Sequence, residues 1–250
     1  MMNSLLRKIL LVTASIATLG GSGMLVSCQQ HQSVTCKEVS PVTNTLTPYE
    51  SFVYGNKLYP TVMKIYLDDA LLKEADSKSR VVICLNQQRG RLYVQGKVAA
   101  DWPVSTGADD HLTPTGHFRV RFKEKEHASN RYGKMFDANG KCIDNNADAF
   151  KQPIPEGGRF EGSPMPNWMR LTYDGIGMHT GKVKAGKRLS HGCIRMPHVI
   201  SSMLFDIVEI GTRVVINQDV EANYPVSAIL ARRDLEEAIS SQGPEPQEIP

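Results

Sequence analysis

The sequence predicts a fold that is mainly β with α, in which short strands form the body of the domain and a few helices flank them. Two patterns carry this prediction. Between residues 81 and 217, β-branched or alternating stretches are separated by turns rich in Gly and Asn, as expected for half-buried strands. Other stretches place apolar residues at helical spacing. The predicted strands are 81–85, 91–95, 98–105, 117–122, 169–173, 176–180 and 212–217, and the predicted helices are 61–75, 197–208 and 226–240.

The segment 123–167 interrupts this pattern. It is rich in Gly, Asn, Asp, Lys and Pro and has little periodicity. A segment this long and irregular inside a domain is usually a functional loop, a lid or a binding surface. The alternative is a disordered insertion, but Phe136, Phe150 and Phe160 argue against full disorder. We therefore predict a lid-like insertion over 123–167.

The composition is that of a soluble globular domain, with 41% hydrophobic and 22% charged residues. The formal net charge is +3, and Arg7 and Lys8 supply two of these charges, so the rest of the chain is nearly neutral. A nucleic-acid-binding protein usually carries a basic stripe, so we expect no nucleic-acid partner. The charge also gives no electrostatic reason to lie on an anionic membrane.

The N-terminus has the pattern of an export signal. Arg7 and Lys8 precede an uncharged stretch over 9–27, which fits a secretory signal peptide. The alternative is a membrane-spanning helix, which the glycines in this stretch disfavour. The sequence Leu-Val-Ser-Cys ending at Cys28 resembles a bacterial lipobox, in which the cysteine is lipidated and anchors the mature protein. Gln29, where Asp would favour the inner membrane, favours the outer membrane.

The densest group of reactive side chains lies within 177–196, where His179, His191 and Cys193 each have glycine neighbours. A nucleophilic cysteine needs a base within hydrogen-bond reach and an open approach for substrate. A Gly- and Lys-rich loop can fold back to bring Cys193 beside His179. We expect the thiolate to be favoured by the start of the 197–208 helix and by nearby cations. These cations are Lys182, Lys184, Lys187, Arg188 and Arg195.

Three other interpretations of this stretch compete. Cys193 could be a buried core residue. His179, His191 and Cys193 could bind zinc, although no fourth ligand or paired Cys-x-x-Cys motif lies nearby. The basic loop could bind an anionic polymer.

The remaining cysteines leave the disulfide pattern open. With Cys28 lipidated and Cys193 catalytic, three remain, which allows one disulfide and one free thiol. Cys84 lies in an apolar run and is expected to be a small buried hydrophobic residue. The sequence alone cannot decide the pairing with Cys36 and Cys142.

Residues 190–196 read Ser-His-Gly-Cys-Ile-Arg-Met, and with His179 upstream they match the Ser-His-Gly-Cys-x-Arg-(Leu/Met) signature of the L,D-transpeptidases, the YkuD-like family. Separate stretches at 91–94, 102–107, 113–118, 165–170 and 175–179 resemble other motifs of that family in the same order. The resemblance covers about 81–217. It implies a β-sandwich or barrel-like catalytic domain with a few flanking helices.

The resemblance also implies a chemistry. Cys193 would attack a tetrapeptide stem of peptidoglycan between meso-diaminopimelate and the terminal D-Ala, with His179 as the base. D-Ala would leave, and an amine would resolve the thioester into a 3→3 cross-link. Thr180 or Gly181 would orient the imidazole, and backbone amides near Gly192 would form the oxyanion hole. The motif or substrate-binding residues would be Ser190, His191, Arg195, Trp168 and Tyr173. The family implies a monomer, carbapenem-type inhibitors, and neither a metal nor an organic cofactor.

Other outcomes stay open at this point. Water could resolve the same thioester, which would make the protein an L,D-carboxypeptidase or hydrolase. The thioester could also serve to attach a lipoprotein to the wall or release one from it. A non-enzymatic lipoprotein that binds peptidoglycan is a further alternative.

The expected organisation is a signal peptide over 1–27, a flexible tether over 28–50, an N-terminal helical or linker segment over 51–80, the catalytic domain over 81–218, a C-terminal helix over 219–240 and a disordered tail over 241–250.

Overall fold

The computed structural model describes residues 46–220 and 225–241. The predictions for the signal peptide, for lipidation of Cys28, for Cys36 and for residues 242–250 lie outside the described residues. Among the helices in these two ranges, none combines the length and the apolar character needed to span a membrane.

Strands outweigh helices in the described residues, so the expected fold class, mainly β with few helices, is confirmed. The strands are β1 (Tyr66–Leu67), β2 (Arg80–Cys84), β3 (Arg89–Val94), β4 (Lys97–Pro103), β5 (Gly116–Arg119), β6 (Phe122–Glu124), β7 (Ala128–Phe136), β8 (Cys142–Asp148), β9 (Arg159–Pro164), β10 (Trp168–Arg170), β11 (Gly177–Thr180), β12 (Ile194–Met196) and β13 (Arg213–Asn217). The helices are α1 (Pro48–Tyr54), α2 (Asp69–Leu72), α3 (His198–Ile207) and α4 (Pro225–Ser241).

The main hydrophobic core draws on two sheets and on α3. The first sheet has the strand order β1-β4-β3-β2-β13-β5, and the second has the order β12-β11-β10-β6. Val81 and Leu92 from the first sheet, Met178 and Ile194 from the second, and Ile200 from α3 belong to this core and are fully buried. Side chains alternate along a strand, so each of these strands gives the core every second residue. This alternation is the pattern that predicted the strands.

The first sheet also packs a second apolar cluster on its other face. Val82 lies between two residues of the main core along β2, yet it packs with Tyr49 and Val53 of α1 and Ile229 of α4. Segments on either side of the predicted catalytic domain therefore pack against its sheet.

A buried ionic cluster joins the N-terminal segment to this sheet. The Asp101 carboxylate accepts hydrogen bonds from Arg89 Nε at 2.7 Å, Arg91 Nε at 3.0 Å, and the hydroxyls of Tyr49 at 2.6 Å and Tyr59 at 2.8 Å. All of these residues are buried. Burial alone would raise the pKa of Asp101, but the two guanidinium groups and the hydroxyl donors outweigh it, so the pKa lies below its ordinary value.

The predicted helix over 61–75 is wrong, except for the short α2. Arg89 explains the difference, because its guanidinium donates to the carbonyl oxygens of Val62 at 2.8 Å and Lys64 at 3.0 Å. β1 then pairs with β4. These long-range hydrogen bonds hold the backbone extended, and they override the local apolar spacing.

The predicted strand over 117–122 is in fact two strands in different sheets, since β5 pairs with β13 and β6 pairs with β10. Val120, which is buried between them, marks the crossing. The segment 123–167 is not irregular, because β7, β8 and β9 form a third sheet in the order β8-β7-β9, and its role as a lid stays a prediction. Most side chains of this sheet are exposed or half-buried, so its strands lack the apolar alternation that would reveal them.

Candidate active site

His179 lies on β11, and Cys193 immediately precedes β12, the parallel strand that pairs with it. β11 pairs with β12 so that Met178 lies beside Ile194, and both of these side chains are fully buried in the core. Because side chains alternate along a strand, His179 and Gly177 point to the opposite face. Cys193 is the residue before Ile194, where β12 begins, and the Gly177 amide acts on its thiol. Residues offset by two positions on adjacent strands are roughly 8 Å apart between Cα atoms. The thiol and the imidazole can bridge that distance by rotating toward each other.

Two more strands extend this face away from Cys193. β10 pairs with β11, the Trp168 ring lies next to the His179 ring, and β6 places Glu124 beside Trp168. The His127 ring stacks on Trp168 with centroids 5.0 Å apart, and the Trp168 and His179 rings are 5.8 Å apart. The sheet residues His179 and Glu124, with the Cys193 thiol and the His127 ring next to the sheet, thus bring together a thiol, two imidazoles and a carboxylate.

His179 is held in one tautomer. Its Nδ1 lies 2.8 Å from the Thr180 carbonyl oxygen, and because a carbonyl can only accept, Nδ1 carries the proton and Nε2 is the free acceptor. The ring is 5% exposed. Burial lowers the pKa of His179 to about 4, with the Thr180 carbonyl opposing this and the charges of Arg195 and His127 adding to it. The imidazole is therefore neutral at pH 7 and able to accept a proton.

The Cys193 thiol is free and half-buried. It donates to the Gly175 carbonyl oxygen at 3.6 Å, and within the described part of the chain no hydrogen bond joins it to the imidazole. Burial raises the pKa of Cys193, while the Gly177 amide and the charge of Arg195 act in the opposite direction without outweighing it.

The two features expected to favour the thiolate do not make it the favoured state. β12 lies between Cys193 and α3, so the helix does not begin at the nucleophile. Lys182, Lys184 and Lys187 are exposed, and Arg195 is the basic side chain whose charge lowers the pKa of the thiol. The neutral thiol is consequently the favoured state.

The rest of the Ser-His-Gly-Cys motif shapes the turn before β12. Ser190 Oγ donates to the Cys193 carbonyl oxygen at 2.5 Å and accepts from the Gly192 amide at 3.1 Å. Gly192 has φ +109, and a Cβ there would lie 2.6 Å from Ile176, so only glycine fits. Its amide, expected in the oxyanion hole, is engaged by Ser190 in this conformation.

Arg195 and the residues after His179 support the site from the side. Arg195 Nη1 donates to the Leu189 carbonyl oxygen at 3.0 Å and so holds the loop. A Cβ at Gly181 would lie 2.8 Å from the Arg195 stem. The hydroxyls of Thr180 and Ser201 are 2.5 Å apart, which fixes the strand end whose carbonyl orients His179.

A cavity of about 580 Å³ opens beside the thiol. Gly175 and Ile176 line it next to Cys193, but neither Cys193 nor His179 is itself among its lining residues. Trp168 and Tyr173, both expected to bind substrate, line it as well. The turn that carries Gly175 therefore separates the thiol from the cavity.

His191 lines the same cavity and belongs to an aromatic stack. Its ring is parallel to Tyr132, with centroids 4.2 Å apart, and it meets His111 edge-on at 4.7 Å. The sequence did not point to His111, Tyr132 or His127. They lie far from the signature along the chain, and the only local signal was the Glu-x-x-His spacing of Glu124 and His127.

The site residues do not form a metal centre. Over residues 46–220 and 225–241, no group of three or more His, Cys, Asp or Glu side chains is arranged to hold a metal ion. His179 and Cys193 instead make the separate backbone contacts described above.

Comparison with known proteins gives matches over the part of the chain that holds this site. Residues 78–216 match the family described as YkuD, L,D-transpeptidase catalytic domain. YqjB of Bacillus subtilis (strain 168), which carries a provisional L,D-transpeptidase name, is 32% identical over 139 residues, covering 55% of this chain and 71% of that protein.

Two solved structures are also similar. An L,D-transpeptidase from Mycobacterium smegmatis is 19% identical with a TM-score of 0.44, covering 56% of this chain and 58% of that one. The Cys-to-Ser mutant of the Enterococcus faecium L,D-transpeptidase is 26% identical with a TM-score of 0.41, covering 56% of this chain and 49% of that one. This chain thus spans about half to three fifths of these solved structures.

Proposed function

From the premise that the chain belongs to the family of L,D-transpeptidase (YkuD) catalytic domains, we propose that it transfers acyl groups between peptidoglycan stem peptides through a thioester on Cys193. One observation carries the proposal: the thiol lies immediately before the strand that pairs with the strand of a neutral, oriented imidazole, and the turn that the thiol contacts lines a cavity. A cysteine nucleophile with an adjacent base is the arrangement that acyl transfer requires.

The reaction begins when the thiol leaves the Gly175 carbonyl and turns toward His179. Nε2 takes the thiol proton as the sulfur attacks the carbonyl between meso-diaminopimelate and the terminal D-Ala. The low pKa of His179 makes its imidazolium a strong acid, which gives the proton readily to the departing D-Ala amine. The amine of a second stem then attacks the thioester and forms a 3→3 cross-link.

The developing oxyanion needs backbone donors. We assign this role to the amides of Cys193 and Gly192, which requires Gly192 to release the Ser190 hydroxyl when substrate binds. Arg195 holds the loop in place through Leu189.

We further propose that the protein works as a monomer in the cell envelope, on the periplasmic side. The positive flank and uncharged stretch before Cys28 support export, and the lipobox-like sequence supports a lipid anchor, with the outer membrane favoured. Intact mass of the protein isolated from bacterial membranes, compared with Cys28→Ala, tests the anchor.

The central test incubates the purified protein with tetrapeptide muropeptides. We expect D-Ala release and cross-linked dimers, both lost in Cys193→Ala and retained in the matched control Cys142→Ala, since Cys142 is a free cysteine outside the site. A carbapenem should add its mass to the wild type and to Cys142→Ala only. Tripeptide monomers without dimers would instead identify an L,D-carboxypeptidase. Activity that survives Cys193→Ala would refute the thioester.

A further inference from the structure

A second imidazole faces the cavity beside the proposed nucleophile. Nδ1 of His127 lies 2.5 Å from Oε2 of Glu124, so a carboxylate orients this ring as a carbonyl orients His179. His127 lines the cavity and His179 does not. The two imidazoles therefore have different access to anything bound there.

Trp168 separates the two imidazoles. Its ring stacks on His127, and its edge lies 2.6 Å from the point where a Cβ at Gly177 would stand. The Gly177 amide is a hydrogen-bond donor to the Cys193 thiol. His127 is thereby held over the part of the sheet face that leads to the sulfur.

The two histidines also differ in exposure. His179 is 5% exposed, whereas the His127 and Glu124 side chains are 28% and 43% exposed. His127 can exchange protons with solvent, and His179 is suited to passing a proton only between groups inside the site.

The proposed reaction needs both an imidazole that exchanges protons with solvent and one that passes a proton between groups inside the site. An aliphatic amine has an ordinary pKa of about 10.4, so only about one molecule in 2,500 is uncharged at pH 7. The acceptor therefore arrives as an ammonium ion. When it becomes an amide it loses two protons: one returns through His179 to the Cys193 sulfur as the thioester breaks, and the other must leave for solvent.

We propose that His127, oriented by Glu124, is the base that removes one proton from the acceptor ammonium in the cavity before the amine attacks. This is the proton that must leave for solvent. The inference rests on the proposed acyl transfer and adds a second catalytic residue to it. The bond between Nε2 of His127 and the proton forms as the ammonium N–H bond breaks, and solvent then takes the proton from the imidazolium. The acceptor class is a primary aliphatic amine.

Other charged and titratable groups face the same space. His179 lies across Trp168, and its pKa is lowered in part by the His127 charge. The cavity is also lined by Arg131 and Tyr132 from β7, by Arg170, Tyr173 and Asp174 from β10 and the following turn, and by His111 and His191.

The test lets two acceptors compete for one acyl-enzyme. Wild-type protein is given the tetrapeptide donor together with lysine amide, an ammonium ion at pH 7, and hydroxylamine, which is largely uncharged there. The ratio of amide to hydroxamate reports only the second half-reaction, so it is independent of any change in thioester formation. We expect His127→Gln to lower the ratio about a hundredfold, within the usual range for one acid–base group.

Glu124→Gln should lower the ratio in the same direction, and the ratio in His127→Gln should recover as the pH rises and the amine loses its own proton. His117→Gln is the matched control, because His117 is exposed on β5 in the other sheet, and its ratio should equal that of the wild type. A ratio within twofold of wild type in His127→Gln, or an equal fall of both products, would overturn the inference. If the wild type forms neither product, or if Cys193→Ala still forms both, the proposed function itself is wrong.

Discussion

The resting state of the proposed nucleophile is a neutral thiol beside a neutral imidazole, and this can be tested by titrating Cys193. Burial raises the pKa of the thiol above its ordinary 9.0 and lowers that of His179 to about 4. Both shifts have the same cause, because a largely enclosed site disfavours the charged form of either group. The ion pair that activates many cysteine enzymes is therefore disfavoured on both sides.

The size of the effect follows from these values. A thiol at the ordinary pKa of 9.0 is about one part in a hundred thiolate at pH 7, and a raised pKa makes that fraction smaller. An imidazole with a pKa of about 4 is protonated in about one molecule in a thousand at the same pH. Proton transfer to His179 must then accompany attack on the substrate, as general-base catalysis.

The assay is the rate of iodoacetamide alkylation at Cys193 across pH 6 to 9, measured by peptide mass in the Cys142→Ala background. Since only the thiolate reacts, we expect the rate to rise about tenfold per pH unit with no plateau. The thiolate absorbance, taken as wild type minus Cys193→Ala, should be absent at pH 7. A plateau in the alkylation rate below pH 8 would refute the reasoning, because it would require a thiolate that packing does not favour.

Three further predictions concern stability and packing. Asp101→Asn should lower the free energy of unfolding in urea by roughly 3–5 kcal/mol, because it removes the buried carboxylate charge to which two buried guanidinium groups donate, whereas the exposed Asp109→Asn should change it little. Gly177→Ala should slow carbapenem acylation about a hundredfold, because the new Cβ would displace the Trp168 ring, which it would meet at 2.6 Å. As the pH falls from 6.5 to 4, His179 binds a proton in the unfolded state but stays largely neutral in the folded state, so the wild type should lose about 3 kcal/mol of stability. His179→Gln should lack this part of the loss. An identical dependence of stability on pH in the two proteins would contradict the prediction.

The sequence predicted strands that have a buried apolar face, and it missed β7, β8 and β9, whose side chains are mostly exposed or half-buried. β2 shows why the first group was visible: Val81 and Ile83 enter one core and Val82 enters the other, so the whole strand is apolar. The stretch 61–75 also looks apolar, but Arg89 determines its conformation by binding two of its carbonyl oxygens. No local pattern contains that information.

The arrangement around the cavity was hidden for a similar reason. Cys193 and His179 could be chosen from the sequence, because one nucleophile and one base with glycine neighbours are a recognisable chemical pair, and their roles stay predictions. His127 could not, because its position depends on the pairing of β6 with β10 and on a stack with Trp168. Sheet register brings these residues together, and a single sequence does not specify which strands pair.

The protonation state of the thiol shows the same limit in electrostatic terms. Five cations within eleven residues of Cys193 along the chain suggested a favoured thiolate, since sequence proximity was the only available measure of distance. In the fold, three lysines of that loop are exposed to solvent, where water screens their charge, and Arg195 is the cation that acts on the sulfur. Desolvation depends on how completely the strands and the Gly175 turn enclose the sulfur, which is a property of packing.

The same enclosure that keeps the thiol neutral at rest would strengthen the amide contacts to an oxyanion once substrate excludes the remaining water. The features that make Cys193 unreactive toward solvent are thus the ones expected to make it effective toward a bound acyl donor.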